Sequence, residues 1–324
     1  ITIFAALILL NMKILVTGGA GYIGSVLVPK LLELGHEVTV IDNFMYGQAP
    51  LFDVMYKKNF KLVRGDARDE ELIKEHIKGA DFIIPLACLV GAPICKKMPE
   101  DAKEINLDAI LMILKLRDKN SQKIIFPNTN SGYGFMEEGT SFCDETSPLH
   151  PVSLYGELKV AAEKALLEDS EAITLRLATV FGMSPRMRLD LLVNDFVYTA
   201  VKVGSMEIFE PHFKRNFIHI RDVVKAFVHT MDNFERMKNE SYNVGLSDAN
   251  LSKLELCEEI KKQLPEFTYT ISETGKDPDK RDYIVSNAKI EKTGFKPDFS
   301  IQDGITELIK GYQVINSREG LTNV

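Results

Sequence analysis

The sequence has few residues of the types that ligate metals, and they are not clustered. It contains four cysteines and six histidines among 324 residues. No two cysteines form a C-x-x-C pair, and the histidines lack the spacing of a ligand set. We therefore predict no metal site. Cysteines in apolar or helical surroundings without such a pair also indicate reduced thiols, and hence a cytoplasmic protein.

The sequence also lacks an excess of positive charge and an apolar run of membrane-spanning length. Its formal net charge of −7 argues against general binding to nucleic acid. The apolar run at residues 1–10 is too short, at about 1.5 Å per residue, to cross a hydrocarbon core of about 30 Å. It has no basic flank and no small-residue cleavage site, so we expect neither a membrane span nor a secretory signal. We expect residues 1–11 to be an extension without a catalytic role, and the polar stretch after Asn316 to fray.

A glycine-rich segment, TGGAGYIG at residues 17–24, lies between a predicted strand and a predicted helix. Gly18, Gly21 and Gly24 fit the spacing G-x-x-G-x-x-G. Glycines at such positions allow a tight turn, the close approach of a diphosphate and close packing of the helix on the sheet. The N-terminus of the helix then presents N–H groups and a positive dipole end to the diphosphate. The segment therefore predicts a dinucleotide-binding loop.

An acidic residue follows at the distance that such a loop requires. Asp42 ends the second predicted strand, and a carboxylate about 20 residues after the glycines binds the adenosine ribose hydroxyls in these folds. Such a carboxylate repels a 2′-phosphate, and residues 43–50 contain no Arg or Lys. The sequence thus favours NAD over NADP as the cofactor. The alternative is an acidic residue at a strand end that only faces water.

Strands and helices alternate through the first half of the sequence. Predicted strands lie at residues 13–16, 37–41, 60–64, 81–86, 123–127 and 172–177, and predicted helices at 25–34, 69–78, 99–117 and 152–167. This alternation predicts an α/β fold with a doubly wound parallel sheet of Rossmann type. After residue 182 predicted helices (189–203, 223–234, 251–264 and 301–312) are separated by short strands and loops that contain proline. We therefore divide the chain into an NAD-binding domain at 12–182 and a smaller α/β C-terminal substrate lobe at 183–316, with the chain crossing between the two.

Two predicted elements carry residues suited to proton transfer. Tyr155 and Lys159 are four residues apart on one predicted helix, so their side chains share a face. A phenol acts as a base near neutral pH when a neighbouring positive charge stabilises the phenolate. Thr129 follows a predicted strand at the carboxyl edge of the sheet, where its hydroxyl can hold a substrate hydroxyl. The spacing of Tyr155 and Lys159 alone is equally compatible with an ordinary helix face, and the loop after Thr129 is also a turn.

Taken together, these motifs resemble the NAD-dependent epimerase/dehydratase family, the extended short-chain dehydrogenases that act on nucleotide sugars. The similarity extends over about residues 12–312. It rests on the glycine segment, on the Tyr155/Lys159 pair and on matching residues elsewhere in the chain, namely Asp42-Asn43, Gly65-Asp66, Leu86-Ala87, Asn106, Thr129, Tyr133-Gly134, Arg176, Phe181-Gly182, residues 214–219 and residues 221–223.

The resemblance implies roles for particular residues. For the cofactor it implies contacts from Gly18, Gly21, Tyr22, Ile23, Gly24, Asp42, Asn43, Asp66, Ala67, Leu86, Ala87, Asn106, Tyr155 and Lys159. For the substrate it implies Thr129, Asn130, Ser131, Thr179, Asn194, Arg215 and Arg281, to which we add the basic loop residues Arg186 and Arg188. Guanidinium groups suit phosphate because they bind it through two donors. The alternative for the four arginines is a solvated surface charge.

The sequence departs from the family pattern where a dehydratase carries its acids. Members that eliminate water have Asp and Glu after the threonine, but this chain has Asn130 and Ser131. The resemblance therefore implies oxidation at C4 of a nucleotide-diphosphate sugar by Thr129, Tyr155 and Lys159, to a 4-keto sugar. The remaining choice is between a 4-dehydrogenase, which needs NADH release or an acceptor such as a 2-oxo acid, and a 4-epimerase, which returns the hydride to the opposite face.

Further expectations concern the substrate and the assembly. The basic loop at Arg186 and Arg188 departs from the UDP-galactose 4-epimerase pattern and could meet a phosphate or a purine nucleotide. The sequence as a whole resembles bacterial capsule enzymes that use GDP-activated sugars, which favours a GDP-sugar such as a GDP-heptose over a UDP-sugar. The family likeness implies a homodimer, or a higher homo-oligomer, formed through the predicted helices at 99–117 and 152–167. A third alternative is a dinucleotide-sensing protein without catalysis, although such proteins typically lose the tyrosine or the lysine.

Overall fold

The computed structural model describes residues 11–47, 50–137, 139–272 and 282–323. Seven parallel strands form the central sheet, in the order β10-β6-β5-β4-β1-β2-β3. In chain order these strands are β1 Lys13–Thr17, β2 Glu37–Asp42, β3 Phe60–Arg64, β4 Phe82–Pro85, β5 Lys123–Thr129, β6 Ala172–Leu177 and β10 Glu240–Val244. The doubly wound parallel α/β fold predicted from the sequence is confirmed.

Helices cover both faces of this sheet. The α-helices are α1 Gly24–Glu33, α2 Glu70–His76, α3 Ala92–Lys97, α4 Pro99–Lys103, α5 Ala109–Leu116, α6 Leu154–Asp169, α7 Leu192–Lys202, α8 Ile220–Asp232, α9 Phe234–Met237, α10 Lys253–Gln263, α11 Ala288–Glu291 and α12 Ile301–Tyr312. Strand β1 shows why both faces need cover. Its Ile14 and Val16 pack in one hydrophobic cluster with α1, whereas Leu15 packs in another with α2, α5 and α6. Fully buried, apolar strands of this kind are typical of parallel sheets.

The second half of the chain builds two small sheets and returns to the large one. Strands β7 (Thr179–Phe181), β9 (Lys214–His219) and β11 (Asn250–Ser252) form a three-stranded sheet, and β8 (Ser205–Phe209) pairs with β12 (Thr268–Ser272). Between β9 and β11 the chain forms β10, which pairs with β6 at the edge of the central sheet. Helices α7, α10 and α12 pack against one another over the small sheets.

Several element boundaries differ from the sequence prediction. The helix expected at 99–117 is divided into α4, a π-helical turn at Glu104–Asp108, and α5. The helix expected from residue 251 instead begins at Lys253, after β11, because Ser252 and Glu255 form a capping box. Helix α3 and strand β10 were not predicted.

The expectation that the chain frays after Asn316 is wrong. Arg318 pairs with Asp195 at 2.5 Å, and the backbone N–H of Leu189 donates to the carbonyl of Leu321 at 2.8 Å. Asn323 is buried. The segment 318–323 is therefore packed against the start of α7. We call it the C-terminal strap.

Within the described residues, the structure has no helix that is both long enough and apolar enough to span a membrane.

Candidate active site

A cavity of about 1230 Å³ opens at the carboxyl ends of the central strands. Ligands bind at this edge in open α/β sheets, because the loops there leave a crevice. The cavity wall brings together most of the residues predicted for the site, namely Gly18, Gly21, Tyr22, Ile23, Gly24, Asp42, Asn43, Asp66, Ala67, Leu86, Ala87, Thr129, Asn130, Ser131, Tyr155, Lys159, Thr179, Arg186, Arg188 and Arg215.

The glycine loop forms one end of the cavity. Gly18 has φ +70°, and a Cβ atom there would lie 2.4 Å from the backbone nitrogen of Ala87. A Cβ atom at Gly24 would lie 2.4 Å from the carbonyl oxygen of Gly19. Both positions therefore require glycine. The loop leads into α1, whose first turn faces the cavity, so these residues fit a dinucleotide diphosphate.

Two carboxylates stand beside this loop. The Asp42 oxygens accept hydrogen bonds from the backbone N–H groups of Ala20, at 2.9 Å, and Phe44, at 2.8 Å. Burial raises the pKa of Asp42 above its ordinary value, while these bonds act in the opposite sense. Asp66 pairs with Arg68 at 3.0 Å, which lowers the pKa of that carboxyl. Both positions suit the adenosine end of a dinucleotide.

Helix α6 supplies the predicted base and its ammonium. Ser153 caps this helix by accepting a hydrogen bond from the N–H of Gly156 at 3.3 Å. In the first turn of α6, Tyr155 is half-buried on the cavity wall. The next turn places Lys159 in the same wall with only 3% of its surface exposed. The helix therefore directs both groups into the cavity.

Lys159 is held in an apolar, desolvated position. Its Nζ donates a hydrogen bond to the carbonyl of Pro127 at 2.5 Å and lies 3.7 Å from the centre of the Phe126 ring. Burial lowers the pKa of Lys159 from 10.5 to about 8, with Cys88 and Glu163 acting in the opposite sense. Near neutral pH the side chain remains an ammonium, but one that burial disfavours.

Thr129 ends β5 at the cavity edge. Its hydroxyl donates to the hydroxyl of Ser131 at 2.9 Å and accepts from the backbone N–H of Ser131 at 3.1 Å. These bonds fix the orientation of both hydroxyls where a substrate alcohol would enter.

A buried ion pair lies beneath Thr129 and Lys159. Glu163 accepts from Arg176 at 2.7 Å, from Thr174 at 2.8 Å and from the amide of Asn128 at 2.6 Å. Arg176 also donates to the hydroxyl of Tyr133 at 2.9 Å. This network joins α6 to β5 and β6. Glu163 was not predicted as a site residue, although it lies four residues after Lys159 on the same helix.

The arginines predicted for substrate have different surroundings. Arg188 pairs with Asp190 at 2.5 Å. Arg186 stacks over the Tyr46 ring at 4.0 Å. Arg215 lies 5.9 Å from the centre of the Tyr283 ring. The fourth arginine, Arg281, lies outside the described residues. Thr179, also predicted to contact the substrate, begins β7 on the cavity wall.

Two predicted contact residues do not reach the cavity wall. The Asn194 side chain bonds the N–H of Gly182 at 3.0 Å, the hydroxyl of Tyr22 at 3.1 Å and the carbonyl of Arg188 at 2.9 Å. The Asn106 side chain bonds the N–H of Leu89 at 2.8 Å and its carbonyl at 3.0 Å. Both amides are buried and hold loops that do line the cavity.

The cavity also has lining residues that the sequence analysis did not select, among them Tyr46, Cys88, Asp190 and Asn323. Burial raises the pKa of the Cys88 thiol, so this cysteine is not an activated nucleophile. Asn323 comes from the C-terminal strap, and no sequence motif signals its approach from the far end of the chain.

Comparison with known proteins agrees with this geometry. The model of the "NAD dependent epimerase/dehydratase family" matches residues 14–245. The chain is 30% identical to a UDP-glucose 4-epimerase of Corynebacterium glutamicum, over 77% of this chain and 80% of that protein. It is 29% identical to UDP-glucuronic acid decarboxylase 1 of Arabidopsis thaliana, over 96% of this chain and 72% of that protein.

A solved structure shows the same fold. The UDP-glucose 4-epimerase of Thermotoga maritima, crystallised with UDP-glucose, superimposes with a TM-score of 0.80 at 25% identity, over 93% of this chain and 99% of that one. The family match covers well over half of the chain, and the glycine loop fits the cofactor that the family uses. The chain therefore belongs to the NAD-dependent epimerase/dehydratase family and is an NAD-dependent enzyme.

Proposed function

We propose that this enzyme oxidises the C4 hydroxyl of a nucleotide-diphosphate sugar to a 4-keto sugar. The observation that carries the proposal is the presence of Tyr155, Lys159 and Thr129 on the wall of one cavity, together with the glycine loop. NAD, when bound, supplies the hydride acceptor. The residues that would hold it are the glycine loop, Asp42 and Lys159.

The protein's own residues divide the proton chemistry among them. The phenolic oxygen of Tyr155 takes the proton from the sugar hydroxyl. The Lys159 ammonium, protonated at neutral pH because its pKa is about 8, stabilises the negative charge that develops on the phenol. The hydroxyls of Thr129 and Ser131, already fixed to each other, orient the sugar alcohol.

The residues after Thr129 support oxidation rather than elimination of water. Asn130 is buried, and the Ser131 backbone and hydroxyl both bond Thr129. Neither side chain carries an acid. A 4,6-dehydratase needs an acid and a base at this end of the sheet, so the local chemistry favours a reaction limited to C4.

Two outcomes of C4 oxidation remain in the proposal. A 4-dehydrogenase releases the keto sugar and passes its electrons to an acceptor such as a 2-oxo acid. A 4-epimerase returns the hydride to the other face; the relatives named UDP-glucose 4-epimerase favour this outcome and a UDP-sugar. The basic residues Arg186 and Arg188 are the basis for proposing a GDP-sugar, such as a GDP-heptose, instead.

Assembly and organisation belong to the same proposal. The exposed Leu111 on α5 is 42% accessible, and it lies on one of the two predicted dimer helices. We propose a homodimer through this face. We also propose that residues 12–182 bind NAD and that the lobe at 183–316 holds the nucleotide sugar. Arg215 of this lobe and Thr179, just before it in the chain, line the cavity.

Incubation with a panel of GDP-, UDP- and dTDP-sugars, with and without a 2-oxo acid, tests the proposal. Products are identified by mass spectrometry and NMR. An isomer of unchanged mass identifies an epimerase, and a ketone or its hydrate identifies a dehydrogenase. Loss of water contradicts the proposal, as does unchanged turnover in a Tyr155→Phe variant. A protein that binds NAD but turns over none of these sugars, with or without the Tyr155 hydroxyl, would instead be a non-catalytic sensor. Tyr56→Phe is the matched control, because Tyr56 is 79% exposed and lies outside the cavity lining.

A further inference from the structure

Arg186 is buried in the cavity wall without an acidic partner. Only 2% of its surface is exposed, and no described carboxylate lies within ion-pair distance of it. Its Nη1 donates to the carbonyl of Met187 at 3.0 Å and its Nη2 to that of Thr322 at 3.3 Å. Its Nε is buried and bonds no described atom. A buried guanidinium is costly unless an anion compensates it, so this arrangement points to an anionic ligand.

Two other unpartnered polar atoms lie in the same part of the wall. The Tyr46 hydroxyl is buried and bonds no atom in the described part of the chain, and the centre of its ring lies 4.0 Å from the Arg186 guanidinium carbon. The Oδ1 of Asn323 is likewise buried and bonds no described donor, but as an acceptor it does not bind an anion. All three residues line the main cavity. The Arg186 Nε and the Tyr46 hydroxyl are thus two donors without a described partner in one wall, which favours an anionic acceptor there, since buried polar groups are normally satisfied.

Hydrogen bonds place this site at the cofactor's end of the cavity. The Ser184 hydroxyl, two residues before Arg186, donates to the carbonyl of Tyr22 at 2.8 Å and lies 2.8 Å from the hydroxyl of Ser25. Tyr22 and Ser25 belong to the glycine loop and to α1. Burial raises the pKa of Asp42, the residue expected at the adenosine ribose, and the nearby positive charge of Arg186 opposes this rise. Arg186 therefore lies in a segment that packs against the glycine loop, and it lines the same cavity.

The C-terminal strap fixes Arg186 in this position. Thr322 accepts from its guanidinium, and the N–H of Asn323 donates to Asp190 at 3.3 Å. Arg318 anchors the same segment on α7 through Asp195 and the Tyr198 ring. The strap thus holds the Arg186 guanidinium on the cavity wall.

We propose that Arg186, together with Tyr46, binds the diphosphate of NAD, and that Arg186 is a cofactor residue rather than a substrate residue. The glycine loop binds one side of the diphosphate through backbone N–H groups, and Arg186 binds the other through its guanidinium. This inference concerns the cofactor and holds whichever sugar the enzyme oxidises.

The test compares ligands that differ in their phosphates. Calorimetry on cofactor-stripped protein gives the Kd of NAD, ADP-ribose and adenosine, and on NAD-loaded protein the Kd of UDP and GDP. For Arg186→Met we expect the Kd of NAD and ADP-ribose to rise about 10-fold to 100-fold, as for a lost charge-assisted hydrogen bond. Adenosine, UDP and GDP should change by less than about 3-fold, because they do not occupy the diphosphate site of the cofactor.

Two further variants keep the test decisive. Arg186→Lys retains the charge and should lose less affinity than Arg186→Met. Tyr46→Phe removes only the hydroxyl, and if Arg186→Met does not fold, it is the deciding variant, with an expected rise of about 10-fold in the Kd of NAD, as for a lost hydrogen bond to a charged group. The proposal is overturned if the deciding variant binds NAD as wild type does. It is also overturned if adenosine loses as much affinity as ADP-ribose, or if UDP and GDP lose as much as NAD.

Discussion

Replacing the buried Lys159 by methionine should abolish turnover and yet stabilise the folded protein near neutral pH. Methionine has a similar length and no charge, and Phe126 already provides an apolar neighbour for it. The substitution removes an ammonium that burial disfavours. Functional residues held in unfavourable surroundings commonly show this opposition of stability and activity.

The magnitude follows from the pKa of Lys159. The fall from 10.5 to about 8 corresponds, at about 1.4 kcal/mol per pH unit, to about 3 kcal/mol of destabilisation below pH 8. The methionine variant loses the hydrogen bond to Pro127 and the contact of the charge with Phe126, together worth roughly 1 to 2 kcal/mol. We therefore expect a net gain of about 1 to 2 kcal/mol in the free energy of unfolding at neutral pH.

The difference in stability between wild type and Lys159→Met should depend on pH, because Lys159 has a lower pKa in the folded protein than in the unfolded chain. Between about pH 8 and 10.5 the folded protein binds fewer protons at Lys159 than the unfolded chain does, so wild-type stability rises with pH. The methionine variant lacks this contribution. Its advantage over wild type should shrink by about 1.4 kcal/mol per pH unit above pH 8.

Urea unfolding of cofactor-stripped protein, followed by circular dichroism at several pH values from neutral to mildly alkaline, measures both effects. Lys164→Met is the matched control on the same helix, because Lys164 is exposed and should show no such trend. A difference between wild type and Lys159→Met that stays constant over this pH range refutes the reasoning.

Three further substitutions test other parts of the structure. Glu163→Gln leaves the buried Arg176 without its counter-charge and should cost about 3 to 5 kcal/mol in urea unfolding, whereas a loss below about 1 kcal/mol would contradict the network. Gly18 has φ +70°, and a Cβ atom there would collide with the Ala87 backbone, so Gly18→Ala should abolish NAD binding in calorimetry. Wild-type affinity for NAD would contradict the close packing of the glycine loop. Leu111→Glu should convert a dimer to monomers in analytical ultracentrifugation, and an unchanged sedimentation coefficient would exclude this face.

Local patterns were sufficient to predict much of the fold and the cofactor end of the site. The glycine segment and Asp42 are close in sequence to the strands that place them, so spacing alone indicates their role. The pair Tyr155 and Lys159 follows from one helical repeat. These residues lie together because a parallel sheet brings the ends of successive strands to one edge.

Contacts between distant segments could not be predicted in this way. Strand β10 joins β6 across more than sixty residues, and the polar strap reaches the cavity although its sequence indicates only a loop. Asn194 has the expected position in the chain, but its amide is occupied by the bonds that hold Tyr22 and Gly182. Spacing along the chain does not reveal which side of a helix faces the cavity and which faces the core.

The most direct test of the account is a single-turnover measurement of cofactor reduction with a nucleotide sugar deuterated at C4. The account predicts that C4 deuterium slows the appearance of reduced cofactor and that Tyr155→Phe lowers the rate by about 100-fold or more. Reduction without a C4 isotope effect, or at an undiminished rate in the phenylalanine variant, would contradict it.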